Sequence, residues 1–265
     1  MKEADLTMRA LLCVKSVSRK MRLLFVAAVL TALSAAFLCL RFLHPSSKNN
    51  TAVFTIDEKP VVKAEFILLM SDNRSDVFTY FFQKYHISDN SAFWTSRFGN
   101  EVPLQVLKQK AIVRLRQVRA VRDLAEMNGI STPASYPIFL KNLSAKNRSR
   151  KSPTEKGDAV YGPVSFSAIQ YYQYLYDDEM KSTKSKMENG PLLVTDDQIG
   201  AYYQQNRDTA YHNQDGSYIP LADVRPQIIH TLQDQKYDAI IQEMVKKQTV
   251  VLEKEYDRIS IEDCS

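Results

Sequence analysis

The hydrophobic pattern divides the chain into an apolar segment near its start and a longer part with helical periodicity. Residues 23–40 are almost uniformly apolar. Residues 53–66 contain two short β-type runs around a turn with Pro60, and they lead directly into a helical pattern. Further helical patterns follow until a second β-branched run at residues 249–252. The pattern predicts a mainly α-helical fold in which a small β element joins the two ends of one domain.

The helices are predicted from apolar residues that recur every three or four positions and from signals at the helix ends. Thr195 and Gln198 have the spacing of a capping box, Pro133 stands early in a new helix, and Asn128 with Gly129 forms a stop. The predicted helices cover residues 63–85 (with a candidate interruption at 73–75), 101–127, 165–186 and 221–248, and shorter helices begin near residues 133 and 195.

The apolar segment 23–40 has about the length that a helix needs to span a bilayer. Arg19, Lys20 and Arg22 precede it, which favours a cytoplasmic N-terminus and an extracytoplasmic C-terminal part. A cleaved signal peptide is the alternative, because Ser34-Ala35-Ala36 has the small residues of a cleavage site. The apolar run continues past that site, so we predict an uncleaved, single-pass signal anchor in the cell membrane. Its apolar positions include Leu23, Leu30 and Leu40.

The net charge of +5 belongs to the N-terminal region. Seven of the 35 Lys and Arg residues and two of the 30 acidic residues precede residue 44, which leaves 28 of each sign beyond it. A nucleic-acid-binding domain keeps its positive excess on the folded part, so the charge pattern argues against nucleic acid as a partner. The predicted regions are a cytoplasmic basic segment (1–22), a transmembrane signal anchor (23–40), a linker (41–52), a helical domain (53–254) and a charged tail (255–265).

The chain lacks the sequence motifs that usually mark a catalytic site. It contains no HExxH, GxSxG, phosphate-binding glycine loop or CxxC. Cys13, Cys39 and Cys264 have no metal-binding or disulfide spacing, and the four histidines are scattered. We therefore predict no catalytic residue, no metal site, no cofactor and no small-molecule substrate.

Aromatic residues are the strongest candidates for a binding surface. Tyr171, Tyr172, Tyr174 and Tyr176 fall within six positions of one predicted helix, so they cannot all face the same side. Core packing explains most aromatic residues of the chain, but some of these tyrosines have to lie at the surface. An exposed tyrosine suits contacts with varied polypeptides, because its body is apolar and its tip is polar. The candidate contact residues are Tyr171, Tyr172, Tyr174, Tyr176, Trp94 and Phe98.

Three short motifs resemble segments of the SurA/PrsA-type extracytoplasmic foldases. Residues 53–66 resemble the strand, turn, strand and helix start that open the chaperone module of these proteins, with Asp57-Glu58 where Asn-Gly is usual. Residues 194–206 resemble the helix that leads into the family's parvulin isomerase domain. Residues 221–252 are similar to the C-terminal helix and closing strand of the module. The order of the three motifs carries the resemblance.

The resemblance implies a chaperone module of the SurA type without its isomerase. A parvulin domain of roughly 100 residues would stand between the second and third motifs, where this chain has only residues 207–220. The expected function is a membrane-anchored extracytoplasmic chaperone that holds unfolded or secreted polypeptides without covalent catalysis. The alternatives are a peptidyl-prolyl isomerase, as family members are, and a dedicated membrane-bound partner subunit of one secreted protein.

Overall fold

The structure is a computed structural model that describes residues 50–87, 90, 92–155 and 162–264. The predicted anchor at residues 23–40 lies outside these ranges. Within them, no helix combines the length and the apolar composition that crossing a bilayer requires. The described chain is mainly helical and includes a small three-stranded sheet, as the hydrophobic pattern predicts.

The sheet joins the two ends of the described chain. Strands β1 (Ala52–Ile56) and β2 (Lys59–Val62) form an antiparallel hairpin. Strand β3 (Val250–Leu252) pairs antiparallel with the other side of β1, so the strand order is β2-β1-β3. The expectation that the two β-type runs meet is therefore confirmed.

The hairpin turn is bonded to the residue that precedes β3. Asp57 and Glu58 both have positive φ angles, 49° and 64°, in a turn where Asn-Gly is usually favoured. The Asp57 carboxylate accepts a hydrogen bond from the N–H of Thr249 at 2.8 Å, and the N–H of Asp57 donates to the Thr249 carbonyl at 2.9 Å. These two bonds offset the conformational cost of a turn without glycine.

The long helices of the described ranges are α1 (Lys63–Tyr85), α2 (Pro103–Met127), α3 (Tyr136–Glu155), α4 (Ala168–Met187), α5 (Asp196–Ala210) and α6 (Leu221–Lys247). They follow the predicted segments closely, except that α3 begins at Tyr136, so Pro133 precedes the helix instead of standing early in it. Helix α1 is continuous through the candidate interruption at residues 73–75. Helix α5 begins at the predicted capping box, in which the side chains of Thr195 and Gln198 each accept a hydrogen bond from the other residue's N–H. A 3-10 helix, Phe93–Thr95, lies between α1 and α2.

The largest core, which we call the body, lies between the sheet and helices α1, α2 and α4. Phe54 of β1 packs edge-on against Phe66 of α1, with ring centroids 5.2 Å apart. Tyr256, in the short helix α7 (Lys254–Asp257), contacts both rings. Leu107 and Leu115 of α2 are buried in the same core. The body therefore combines residues from the beginning, the middle and the end of the described chain.

The end of the chain differs from the predicted charged tail at residues 255–265. Tyr256, Ile259 and Cys264 are buried in the body. The buried ammonium group of Lys108 donates a hydrogen bond to the carbonyl of Tyr256 at 2.9 Å. The helical domain thus continues to residue 264, because the apolar side chains of this segment point inward while most of its charges stay in solvent.

A separate small core, which we call the arm, lies between α5 and the first half of α6. Tyr203 stacks on Tyr211, with ring centroids 5.7 Å apart, and donates a hydrogen bond to the carbonyl of Ile219 at 2.6 Å. Residues 211–220 connect the two helices. The buried residues of the arm are Ile199, Tyr203, Tyr211, Val224 and Ile228.

Candidate functional site

The tyrosine-rich start of α4 divides between the core and the surface, as its helical spacing predicts. Tyr171 and Tyr172 are buried, and only 1% of Tyr172 is exposed. Tyr174 remains 38% exposed, and Tyr176 is half-buried. Of the four candidate tyrosines, Tyr174 and Tyr176 are therefore the two that can meet a partner at the surface of this structure.

The buried side of α4 contains a group of charged and polar side chains that we call the ionic cluster. The hydroxyl of Tyr172 donates to one carboxylate oxygen of Glu65 at 2.9 Å, and Arg119 donates to the other oxygen at 2.9 Å. Arg122 lies 3.7 Å from Glu65 and 3.5 Å from Glu179. The ionic cluster, Glu65, Arg119, Arg122, Tyr172 and Glu179, thereby ties α1, α2 and α4 together.

Burial controls the electrostatics of the ionic cluster. It raises the pKa of Glu179 to about 6, because desolvation outweighs the attraction of Arg122. Burial and the neighbouring Glu65 carboxylate raise the pKa of Tyr172, which keeps its hydroxyl protonated as a donor. The Arg122–Glu179 contact is a loose ion pair, since both oxygens of Glu179 lack a well-aligned hydrogen bond. The cluster is closed to solvent, so it positions helices and does not itself offer a surface to a ligand.

The exposed side of α4 combines aromatic rings with cations. Tyr174 stacks on Tyr171 with ring centroids 5.9 Å apart, and the ammonium group of Lys146 lies 5.2 Å from the Tyr174 centroid. The guanidinium group of Arg114 in α2 lies 4.2 Å from the centroid of Tyr176. Rings and cations in this arrangement can contact both apolar and acidic side chains of a polypeptide.

An open groove of about 560 Å³ runs along the outer side of α2. Val102, Val106 and Val113 line it. Val106 and Val113 are seven residues apart and lie on one face of α2, and Val102 immediately precedes the helix. Gln109 and Lys110 add polar groups to the same groove. Val113 is 52% exposed. The groove therefore offers apolar surface with hydrogen-bonding groups beside it, which suits an extended polypeptide.

Arg114 connects this groove to the exposed side of α4. It lines the groove, donates a hydrogen bond to Gln173 of α4 at 2.8 Å, and lies over Tyr176. The groove and the exposed tyrosines are thus parts of one surface. We call it the contact surface, and it consists of Val102, Val106, Val113, Arg114, Tyr174 and Tyr176.

The structure places Trp94 and Phe98 beside α1 instead. Trp94 is buried against Phe93, with ring centroids 4.9 Å apart, and Phe98 packs on Phe81 at 5.7 Å. Neither ring contacts the tyrosines of α4 among the ring contacts of the described residues. These two candidates consequently fill the aromatic core around α1, and the structure does not bring them together with the other four.

Sequence reasoning missed the ionic cluster and the groove. Arg119 and Arg122 follow Leu115 by four and seven positions, so they lie on the buried stripe of α2. A charge on such a stripe requires a buried partner, and that requirement was the available signal. The groove valines Val106 and Val113 lie on a second side of the same helix, so α2 has apolar positions on two sides.

The comparisons with known proteins indicate a chaperone. No protein-family model matches the chain, and no solved structure matches it significantly. A curated relative from Bifidobacterium longum subsp. longum, named chaperone for lacto-N-biosidase, is 23% identical over 181 residues. The match covers 68% of this chain, and the chain spans 64% of the relative's length. This similarity supports a chaperone-type protein with a protein partner, and it does not single out the SurA/PrsA family.

Proposed function

We propose that this protein is a chaperone that binds one secreted or surface-exposed protein and holds it during folding, without covalent catalysis. The similarity to the chaperone for lacto-N-biosidase carries the proposal. The name of that relative specifies a single enzyme as its client. We therefore favour a dedicated client for this chain over a broad range of unfolded polypeptides.

The contact surface is the proposed binding site for the client. Its apolar part, with the exposed Val113, and its aromatic part, with Tyr174, are both open to solvent. Exposed apolar surface that is bordered by polar groups is typical of a site for another protein. Arg114 and Lys110 add positive charge, so acidic residues of the client fit beside its apolar ones.

The proposed location is the outer side of the cell membrane. Support comes from the apolar segment 23–40 and from the basic residues that precede it. An anchor there would keep the described domain close to secreted chains as they emerge from the membrane. We also propose common ancestry with the SurA/PrsA chaperone module, because the hairpin that leads into α1 and the strand that follows α6 occur in the order of that module.

The proposal is tested by isolating and refolding the client. Tagged full-length protein is purified from membranes of the source organism, and a co-purifying protein is sought in about equimolar amount. That protein is then unfolded in denaturant and diluted with or without the chaperone, and its soluble, active fraction is measured. We expect a severalfold higher yield with an equimolar amount of the chaperone.

A matched pair of valine substitutions tests whether the contact surface causes the gain in refolding yield. Val113→Lys places a charge in the groove, whereas Val164→Lys changes a similarly exposed valine outside the contact surface. We expect the first variant to lose most of the gain in yield and the second to retain it. An unchanged yield with the unmodified protein would contradict the chaperone function, and equal losses in both variants would contradict the proposed binding site.

A further inference from the structure

The outer edge of β3 has unpaired backbone groups. Hydrogen-bonded and non-bonded residue pairs alternate along an antiparallel ladder. Asp57 donates to the Thr249 carbonyl and Glu253 donates to the Val53 carbonyl, so the backbone groups of residues 249, 251 and 253 face β1. The N–H and C=O groups of Val250 and Leu252 consequently point away from β1. No strand of the described chain lies on that side.

The opposite edge of the sheet, on β2, is blocked. Pro60 lies opposite Thr55, between Lys59 and Val61, whose backbone groups face β1. Pro60 therefore stands at the position whose N–H would point outward, and proline has no N–H to donate. The exposed Lys59 next to it further discourages pairing. Proline and lysine on an edge strand are the usual protections against unwanted strand addition.

The β3 edge lacks both protections and presents apolar side chains instead. Val251 is 54% exposed and Leu252 is 50% exposed. Only the β3 edge of this sheet is therefore free to pair with another strand. It presents backbone donors and acceptors with apolar side chains beside them, and these groups recognise another extended backbone.

We propose that the outer edge of β3 pairs with an extended, β-forming segment of the client polypeptide. The inference rests on the proposed chaperone function and adds a second client contact, in which main-chain hydrogen bonds hold the client. Main-chain pairing depends little on client sequence, whereas Val251 and Leu252 favour apolar side chains in the added strand. The segment that fits is therefore an unpaired strand of a β-rich protein that has not finished folding.

A client strand fits this edge better than a second copy of the chain. The edge is short, because α6 ends at Lys247 and α7 begins at Lys254. The β3 strand of a second copy is flanked by the same two helices, so pairing of two copies would crowd four helix ends around three residues. An unfolded client segment carries no such flanking helices.

The test uses a synthetic strand as the probe. The probe is a short fluorescent peptide of alternating threonine and valine with lysines at both ends. A second peptide has the same side chains but carries an N-methyl group on every threonine and valine, which removes the donors along both of its edges. Fluorescence anisotropy with the full-length protein should show binding of the first peptide and binding at least about tenfold weaker for the methylated one.

Substitutions locate the binding. Val251→Lys introduces the charge that protects natural edges, and Leu252→Pro removes an outward-facing N–H, as Pro60 does on β2. Each should weaken binding of the unmethylated peptide about tenfold or more, whereas Val164→Lys should bind it normally. A weakening in Val113→Lys with no effect of Val251→Lys would place the peptide in the groove and overturn the inference.

Hydrogen exchange gives an independent readout. The amides of Val250 and Leu252 should exchange rapidly in the free protein and slowly with the peptide bound. Protection of both amides in the free full-length protein would show that a second copy or residues 1–49 already cover the edge, and the inference would be wrong. Rescue of the client by the Val251→Lys variant at the unmodified level would retain the chaperone function but reject strand pairing, so the two proposals can fail separately.

Discussion

The body and the arm are held together by different kinds of contact. In the body, Phe54 near the start of the described chain and Tyr256 near its end share one core. In the arm, all the buried residues come from residues 199–228, so every partner is close in sequence. The comparison shows that the body needs both ends of the domain at once, whereas the arm needs only two neighbouring helices and their connection.

The two regions also differ in how they use charge. The body buries Glu65 against Arg119 at 2.9 Å, where water cannot replace a lost partner. The arm pairs Arg225 with Asp196, and the Asp196 side chain is almost fully exposed. A charge change should therefore matter far more in the body than in the arm.

Removal of residues 249–265 is expected to have the largest effect on the body. The truncation deletes β3 together with the buried Tyr256, Ile259 and Cys264. We expect the loss to approach the whole free energy of unfolding, which is about 5–15 kcal/mol for a domain. Circular dichroism during thermal unfolding measures it. Deletion of residues 213–217 from the arm is the control and should leave the main transition in place; a cooperative transition in the truncated protein would refute the dependence on both ends.

Glu65→Gln should be the most damaging single charge change in the body. It leaves Arg119 buried with a neutral partner, while Arg122 retains Glu179, and breaking a buried ion pair costs about 3–5 kcal/mol. The matched change in the arm, Asp196→Asn, should cost at most about 1 kcal/mol, because exposed ion pairs contribute little. Urea unfolding gives both values. Equal losses in the two variants would remove the distinction between the regions.

Ile228→Ala should loosen the arm alone. Ile228 is fully buried there, and removing a buried isoleucine side chain to alanine costs about 2–5 kcal/mol. Hydrogen exchange should accelerate in α5 and in the first half of α6, with little change in the sheet. Leu115→Ala in the body is the comparison variant and should accelerate exchange throughout the body. Faster exchange everywhere in Ile228→Ala would mean that the arm is not an independent unit.

A smaller, pH-dependent difference is expected from Glu179. Its folded-state pKa of about 6 lies above the ordinary 4.5, because burial outweighs the attraction of Arg122, and Asp178 and Glu126 add to the shift. The folded state therefore binds this proton more tightly than the unfolded state does. The stabilisation is complete below pH 4.5 and is lost as the pH rises through 6, a change of about 2 kcal/mol.

Comparison with Glu179→Gln isolates this contribution. Unfolding free energies of both proteins should diverge by about 2 kcal/mol over the range from pH 4 to pH 7. Arm residues do not enter the ionic cluster, so Ile228→Ala, which removes no titratable group, should keep the shape of the pH profile of the unmodified protein. Parallel profiles of the unmodified protein and Glu179→Gln would show that Glu179 has an ordinary pKa in the folded state.

Most of the secondary structure could be predicted, and the candidate site only in part. The start of α5 at the Thr195 and Gln198 capping box and the end of α2 before Asn128 follow from local signals. The split of the α4 tyrosines between core and surface also follows from helical spacing. Helical spacing alone does not show which of these tyrosines is buried and which is exposed, because that depends on the helices packed against α4. The groove valines are spaced like a core stripe, so their exposure could not be inferred from the pattern.

The sequence by itself determined the helices, the strands and their ends, because each depends on residues within a few positions of one another. Only the tertiary structure decided that Tyr172 donates a hydrogen bond to Glu65, which lies 107 positions away in the sequence. It also decided that the charged residues 255–264 belong to the body, since burial of Tyr256 requires Phe54 and Phe66 to be in place. The open edge of β3 was also decided by the tertiary structure, because the pairing of strands determines which of them lies at the edge of a sheet.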